Sequence, residues 1–301
     1  MRRGVVLFIT LSVIVSMLAL VGVIFSYLDK VKQNSSHGGA IIQANLFFRD
    51  TNEALKVLLK KVGTDTEKRK TILSTLYTAP LSIEIEEGNL FITTECHPMN
   101  RAVDINWLGY EDNSSMELQY SASQELFDTL VEQYSIENPS LLLEKILLAI
   151  RGEAQELNPT RLQAKKGIAS LGQLQKIVRE YQFESDDSKV DEIIWEKFFS
   201  FDRESTLIDG GYLSAELIAI LFEMEIELVH EEWFEGDELK TFVVDHGGSM
   251  ENYNRIQKLF SPTLIERIHC RVTYGYEDKV YSFGLDYLDE KADRFEFYAE
   301  Q

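Results

Sequence analysis

The sequence predicts an α+β protein, with a long N-terminal helix, an antiparallel sheet and an all-helical domain inserted between the two halves of that sheet. Three observations predict this class. Residues 5–62 are apolar and then amphipathic at helical spacing, short segments of alternating apolar residues lie near 81–95 and 268–297, and the middle of the chain returns to helical spacing.

The first element is an apolar segment that runs from Val5 to Leu28 without a charged residue. About 20 apolar residues in a helix cross the hydrocarbon core of a membrane, whereas the apolar part of a cleavable signal peptide has only about 7–15. Arg2 and Arg3 precede the segment. We therefore expect the N-terminus to stay in the cytoplasm and the rest of the chain to lie across the membrane.

The leader before this segment is short and basic and ends in Gly4. It resembles a type IV prepilin leader, in which a membrane peptidase cuts after the glycine and the new N-terminal residue, here Val5, is methylated. Members of that family usually carry Glu as the fifth residue after the cut, where this chain has Ile9. An uncut signal anchor explains the same residues.

The amphipathic half of the N-terminal helix follows a polar, glycine-containing segment at 33–39, where we expect a kink or a loosened turn. Its apolar residues recur at steps of three and four, which predicts one apolar face and a continuous stalk helix that ends at Gly63. The alternative is an anchor followed by an unrelated first helix. The residues of the stripe are Ile41, Ala44, Phe48, Thr51, Leu55, Leu58 and Val62.

Alternating apolar residues predict the strands. The segment 81–95 predicts a hairpin with its turn at Glu87–Asn89, and 102–108 predicts another strand. The segment 268–297 predicts an antiparallel meander, in which Ile268, Cys270, Val272 and Tyr274 form the first alternation.

Between these strands the pattern is helical. Asn138-Pro139 and Ser214 are typical helix starts, and Ser170 with Gln173 forms a capping box. The predicted domains are a leader (1–4), a transmembrane and stalk helix (5–62), the first part of a head (63–123), an inserted helical domain (124–223) and the second, stranded part of the head (224–301).

The composition indicates a folded, acidic protein. Hydrophobic residues make up 45% of the chain and the net charge is −20, so a packed core is expected and nucleic-acid binding is not. The acidity can serve solubility, or it can serve divalent cations or a cationic partner. The two cysteines, Cys96 and Cys270, can pair outside the cytoplasm or remain separate buried side chains.

Catalytic motifs are missing from the sequence. His230-Glu231 begins like a zinc-protease motif, but Phe234 stands where the second histidine ligand belongs. There is no Gly-x-Ser-x-Gly and no phosphate-binding loop. We therefore expect a protein that is not an enzyme.

Two acidic segments, 184–192 and 201–211, hold the oxygen ligands that calcium prefers, although neither has the spacing of an EF-hand. Solvated acidic loops explain them equally. The candidate calcium ligands are Asp186, Asp187, Asp191, Asp202 and Asp209.

Taken together, four stretches resemble the type II secretion system minor pseudopilin K family (general secretion pathway protein K). They are the leader with Ile9 in place of Glu, the strand pair with its following Asn106-Trp107-Leu108, residues 158–178, and residues 205–225. Asp209 and Gly211 replace two asparagines of the family turn, which indicates a divergent member whose calcium site is altered.

The resemblance implies a pilin-like head with an inserted helical domain, held by one helix in the bacterial inner membrane with the head in the periplasm. It implies a structural role at the tip of a periplasmic pseudopilus, where the protein starts assembly and contacts cargo. The implied partners are other minor pseudopilins, the inner-membrane assembly platform, prepilin peptidase and secreted substrates. The alternatives are a related type IV pilus system, or a signal-anchored periplasmic chaperone or binding protein.

Overall fold

The computed structural model describes residues 38–61, 63, 65–85, 90–152, 166–263, 265–276, 279–288 and 291–298. Gly4, Val5, Ile9 and the predicted membrane segment lie outside these residues, and so does the predicted turn at 87–89. Within the described residues, no helix is both long and apolar enough to cross a membrane. The chain divides into two compact units, here called the sheet unit (Met1–Gly63, Pro80–Glu95 and Cys270–Gln301) and the helical unit (Thr64–Ala79 and Cys96–His269).

The sheet unit consists of a helix, α1 (38–61), and an antiparallel sheet. The strands are β1 (Leu81–Ile85), β2 (Leu90–Pro98), β5 (Ile268–Tyr276), β6 (Lys279–Leu288) and β7 (Lys291–Tyr298), in the order β1-β2-β5-β6-β7. Ile83 pairs with Ile92 in the first hairpin, and Phe283 pairs with Phe297 in the last. The mixed helix and antiparallel sheet, the first hairpin and the C-terminal meander are therefore confirmed.

Helix α1 packs its predicted apolar stripe against the sheet. Ala44 and Leu55 are buried, and the hydroxyl of Tyr274 donates a hydrogen bond of 2.5 Å to the carbonyl of Ala40. The ring of Phe48 meets that of Phe295 edge-on, with centroids 5.3 Å apart. Because the stripe faces the strands, the opposite face of α1 is left to solvent.

The helical unit contains two short strands, β3 (Val103–Asp104) and β4 (Phe199–Ser200), which pair in parallel. Its helices are α2 (Thr66–Thr78), α3 (Glu117–Gln133), α4 (Pro139–Arg151), α5 (Leu171–Ser185), α6 (Trp195–Phe198), α7 (Ala215–Phe222), α8 (Ile226–Glu232), α9 (Leu239–Asp245) and α10 (Met250–Ile256). The predicted caps are confirmed, since the side chains of Asn138, Ser170 and Ser214 accept hydrogen bonds from Leu141 N, Gln173 N and Leu217 N.

The strand expected over 102–108 is wrong beyond its first residues. Only Val103–Asp104 is extended, and Ile105–Tyr110 forms a 3₁₀ helix. The side chain of Asp104 accepts a hydrogen bond of 2.8 Å from the backbone N–H of Asn106, which turns the chain into the helix. Residues 105–108 are then buried on all sides rather than on alternate faces.

The helical unit also reaches further than the expected 124–223. Its main segment runs from Cys96 to His269, and Thr64–Ala79 also belongs to it. Helices α8, α9 and α10 lie in the segment expected to hold strands. Val229, Trp233, Phe242 and Val243 are buried in the core of this unit at helical spacing. These helices have only seven residues each, so each carries one or two apolar turns that resemble a strand in sequence.

The two cysteines are both disulfide-bonded, and neither Cys96 nor Cys270 is a free thiol. Met99 N donates a hydrogen bond of 2.8 Å to the carbonyl of Arg267, so residue 99, just after β2, faces residue 267, just before β5. This register continues into the adjoining pairs of the same antiparallel ladder.

Candidate functional site

Two of the predicted calcium ligands are already occupied by protein partners. The carboxylate of Asp187 accepts hydrogen bonds from Glu137 N (2.9 Å), the hydroxyl of Tyr181 (3.0 Å) and Lys189 N (3.1 Å). Burial opposes ionisation of Asp187, but these hydrogen bonds outweigh it and lower the pKa of its carboxyl. Asp187 therefore fastens the end of α5 to the start of α4.

Asp202 lies in a buried ion pair. Nη1 of Arg267 is 2.6 Å from each of its carboxylate oxygens, and Nδ2 of Asn100 donates a further hydrogen bond of 3.1 Å. The backbone N–H of Glu204 adds a fourth contact, at 3.2 Å. Asp202 thus joins three distant segments of the helical unit and already has a full set of donors.

The other three candidates do not join Asp187 or Asp202 in a metal site. Asp186 ends α5 with a left-handed backbone (φ 56°) and is exposed, and Asp191 accepts a hydrogen bond of 2.7 Å from Gln182 Nε2. Asp209 caps the 3₁₀ helix Gly210–Tyr212. In the described part of the chain, no three His, Cys, Asp or Glu side chains are grouped so that they could hold a metal ion.

Asp209 lies in a cleft of the helical unit with a volume of about 600 Å³. Gly210, Tyr212 and Leu239 are buried at its floor, and Phe260 is half-buried there. The rim is exposed and carries charges of both signs, namely Glu67, Asp237, Glu238, Lys70 and Lys240.

Electrostatics in the cleft favour neutral side chains at the floor. Burial raises the pKa of the Asp209 carboxyl above its usual range, although a hydrogen bond from Gly211 N partly opposes this. Burial, together with the charges of Asp209 and Glu235, raises the pKa of Tyr212 to about 12. The described lining residues include no histidine and no cysteine, but their carboxylates and lysines are ionisable groups that can accept or donate protons. The cleft has the concave shape that suits a ligand.

Two histidine side chains form a second group, one at the end of β2 and the other at the start of β5. The imidazole rings of His97 and His269 have centroids 5.0 Å apart and planes tilted by 32°. Nδ1 of His97 is 3.1 Å from the carbonyl oxygen of Pro98. Both side chains are half-buried.

This pair was missed in the sequence, where the histidines appear scattered, but a signal for it exists. His97 follows Cys96, and His269 precedes Cys270. If the two cysteines face each other on antiparallel strands, the two histidines next to them must face each other as well.

The sequence also failed to indicate a buried polar pair beside β3. Nδ2 of Asn106 donates to Asp104 Oδ1 (2.7 Å) and to the carbonyl of Ile168 (2.9 Å), while Oδ1 of Asn106 accepts from Ile168 N (2.7 Å). Burial raises the pKa of Asp104 well above its usual range, and hydrogen bonds from Asn106 only partly offset this effect. The pair holds the start of the 3₁₀ helix to the segment before α5.

Comparison with known proteins gives a similarity in structure but none in sequence. No protein-family model matches the sequence, and no curated protein matches it. Among solved structures, the chain is similar to a chain of the GspK-GspI-GspJ complex from the enterotoxigenic Escherichia coli type 2 secretion system, with a TM-score of 0.49 and 12% sequence identity. The alignment covers 84% of this chain and 98% of that one. Similarity at this level does not assign a family or a function to the chain.

Proposed function

We propose that this chain is a minor pseudopilin of a type II protein secretion system, a divergent member of the K family that acts as a structural subunit at the tip of the periplasmic pseudopilus. In this role it starts assembly, meets other minor pseudopilins and the inner-membrane assembly platform, and contacts secreted cargo. The proposed role is not enzymatic, and we assign no cofactor to it.

The observation that carries the proposal is the way α1 divides its surface. One face packs on the antiparallel sheet, while the other leaves Ile42 66% exposed, Leu46 43% exposed and Val57 53% exposed. These apolar residues recur at helical spacing among charged ones. A stalk helix that packs against neighbouring helices in a filament needs such a second face, whereas a helix that serves only its own domain does not.

Two further features support a position outside the inner membrane. The basic leader and the uncharged segment from Val5 to Leu28 form an anchor with its N-terminus in the cytoplasm. The disulfide-bonded Cys96 and Cys270 suit the oxidising periplasm, since disulfides rarely persist in the cytosol. We propose that Gly4 is the residue after which prepilin peptidase cuts and that Val5 is then methylated.

Ile9 supports the tip position. In a pilus, a Glu at this position is buried in the bilayer and must be paired, and its partner is the N-terminal amine of a neighbouring subunit. A subunit with Ile9 offers no carboxylate for this pairing, so it is suited to have no subunit above it.

The leader is tested by mass spectrometry of the protein purified from cells that contain the peptidase. We expect a mature chain that starts at Val5 and carries one N-terminal methyl group. An intact Met1 would instead favour the alternative, a signal-anchored periplasmic chaperone or binding protein, for which the cleft near Asp209 is the supporting observation. If the missing carboxylate restricts the subunit to the tip, Ile9→Glu should allow the protein to be incorporated repeatedly along a filament. Continued restriction of this variant to the tip would contradict the role assigned to Ile9.

The exposed face of α1 is tested by crosslinking in membranes. Ile42→Glu and Leu46→Glu should weaken crosslinks to other minor pseudopilins without changing the stability of the chain, because both side chains are exposed. The matched control is Val244→Glu, whose side chain on α9 is 52% exposed, similar to that of Val57. Equal crosslinking in all three variants would contradict the role assigned to this face.

A further inference from the structure

The cleft near Asp209 has an aromatic lining. The half-buried rings of Tyr253 and Phe260 line it and stack on each other, with centroids 6.0 Å apart and planes inclined by 15°. Tyr212 at the floor meets the ring of Tyr77 edge-on, with centroids 5.2 Å apart. Three aromatic side chains therefore border a concave space of about 600 Å³, which is within the usual size range of ligand sites.

The carboxyl group of Asp209 borders the same space without an ion-pair partner in the described part of the chain. Its Oδ1 accepts only a long hydrogen bond of 3.4 Å from Gly211 N, and its Oδ2 is buried without a hydrogen-bond partner among the described residues. The backbone N–H of Ile265 and the charge of Lys70 also favour the ionised form, but burial outweighs these contacts and raises the pKa of the carboxyl.

A cation that enters the cleft would supply what the Asp209 carboxylate lacks. An ammonium or guanidinium group brings an opposite charge together with several N–H donors, and hydrogen bonds between such groups and carboxylates are among the strongest in proteins. The surroundings favour the approach of a cation, because the three carboxylates of the rim outnumber its two lysines and the net charge of the chain is −20.

The aromatic lining suits the same kind of ligand. A cation close to the face of a tyrosine or phenylalanine ring is attracted by the ring electrons. Lysine and arginine side chains, and amines with similar chains, also carry an apolar stem that packs on aromatic surfaces while the charged head reaches a polar partner. Tyr253 and Phe260 offer such a surface, and Asp209 offers the polar partner.

We propose that this cleft binds a ligand with an ammonium or guanidinium group, which pairs with the Asp209 carboxylate while its apolar stem packs against the aromatic lining. The group can belong to a free amine or to a basic side chain of another protein, because the chemistry that recognises it is the same. Calcium requires six to eight oxygen ligands, and no three candidate metal-binding side chains are grouped in the described residues, so the proposed ligand is an organic cation.

The proposal is tested by calorimetry on the full chain in detergent at low ionic strength. The probes are the peptide acetyl-Ala-Arg-Ala-amide, the same peptide with neutral citrulline in place of arginine, and propylguanidine, which carries the arginine head and stem without a peptide. We expect saturable binding of one arginine peptide per chain, and binding of the citrulline peptide weaker by about tenfold or more. Whichever of the arginine peptide and propylguanidine binds more tightly identifies the source of the cation, a protein segment or a free amine.

Asp209→Asn should weaken binding of the arginine peptide by about tenfold, because the amide keeps the size of the side chain and removes its charge. The matched control is Asp245→Asn, which removes the same charge from an exposed side chain of α9 that does not line the cleft. Tyr253→Leu should weaken binding by about three- to fivefold, whereas Tyr253→Phe keeps the ring and should bind as the parent does.

Equal binding of the arginine and citrulline peptides by the parent chain, or no binding of either, would overturn the proposal. This comparison needs no variant, so it does not depend on whether a variant folds. Unchanged affinity in Asp209→Asn would also overturn it, and unchanged affinity in Tyr253→Leu would contradict the aromatic contact. The proposal is independent of pilus assembly, so mass spectrometry of the N-terminus and the peptide titration can fail separately.

Discussion

The buried ion pair between Arg267 and Asp202 should be worth far more to stability than a similar pair on the surface. The side chain of Asp202 is only 4% exposed and that of Arg267 is 24% exposed. Truncation by Arg267→Ala removes the donor that contacts both carboxylate oxygens. Among the described residues, the buried charge then keeps the hydrogen bonds from Asn100 and Glu204 N. Breaking a buried pair costs about 3–5 kcal/mol, and the partial exposure of Arg267 places the expected loss near the lower end, about 3 kcal/mol.

The matched control is Arg255→Ala. Arg255 makes a similar two-pronged contact with Glu125, but these side chains are 44% and 53% exposed, so the expected loss is only about 0.5 kcal/mol. Both variants undergo the same chemical truncation, and the main difference between the two pairs is their burial.

The assay is urea unfolding of the full chain in a non-denaturing detergent, followed by tryptophan fluorescence. All three tryptophans, Trp107, Trp195 and Trp233, are buried in the helical unit, so the signal reports on the unit that contains both ion pairs. With a urea dependence of about 2–3 kcal/mol per molar, the midpoint should fall by about 1–1.5 M for Arg267→Ala and by about 0.2 M for Arg255→Ala. Equal shifts in the two variants would refute the reasoning from burial.

Three further predictions concern the helical unit. Burial raises the pKa of Asp104 far above its ordinary value of 3.8, so the folded state keeps a proton that the unfolded state releases. Stability should fall as the pH rises from about 4 towards that raised pKa, and Asp104→Asn should abolish this decline in urea midpoints measured against pH. Asn106→Leu should cost about 2–4 kcal/mol in the same assay, since Ile168 N and O both lose their partner; a cost below 1 kcal/mol would contradict this role. Gly167→Ala should cost about 1–3 kcal/mol because φ is 94° there, and a neutral effect on the midpoint would show that the backbone relaxes.

The sequence predicted the elements whose signals are local and repeated. The stripe of α1 spans several turns, and the hairpin at 81–95 and the C-terminal meander alternate over enough residues to be read directly. Helix caps such as Ser170 were predictable for the same reason, because a side chain and a backbone N–H three residues later decide them.

The remainder depends on contacts between distant residues. The carboxylates of Asp187 and Asp202 look like ligands in the sequence, yet their partners come from Glu137 and Arg267, which only the fold brings close. Short helices such as α8 and α9 have too few turns to reveal their period. The leader residues Gly4, Val5 and Ile9 remain predictions from the sequence.

The order of the strands has a consequence for how the chain folds while it is being synthesised. In the sheet, β2 lies next to β5, but roughly 170 residues separate Pro98 from Ile268, and their synthesis takes roughly 10–30 seconds. An isolated two-stranded hairpin is at best marginally stable in water. The β1–β2 hairpin must therefore wait, with one edge unsatisfied, until the tail of the chain emerges, and during that interval it is the part most exposed to mispairing or to capture by a chaperone.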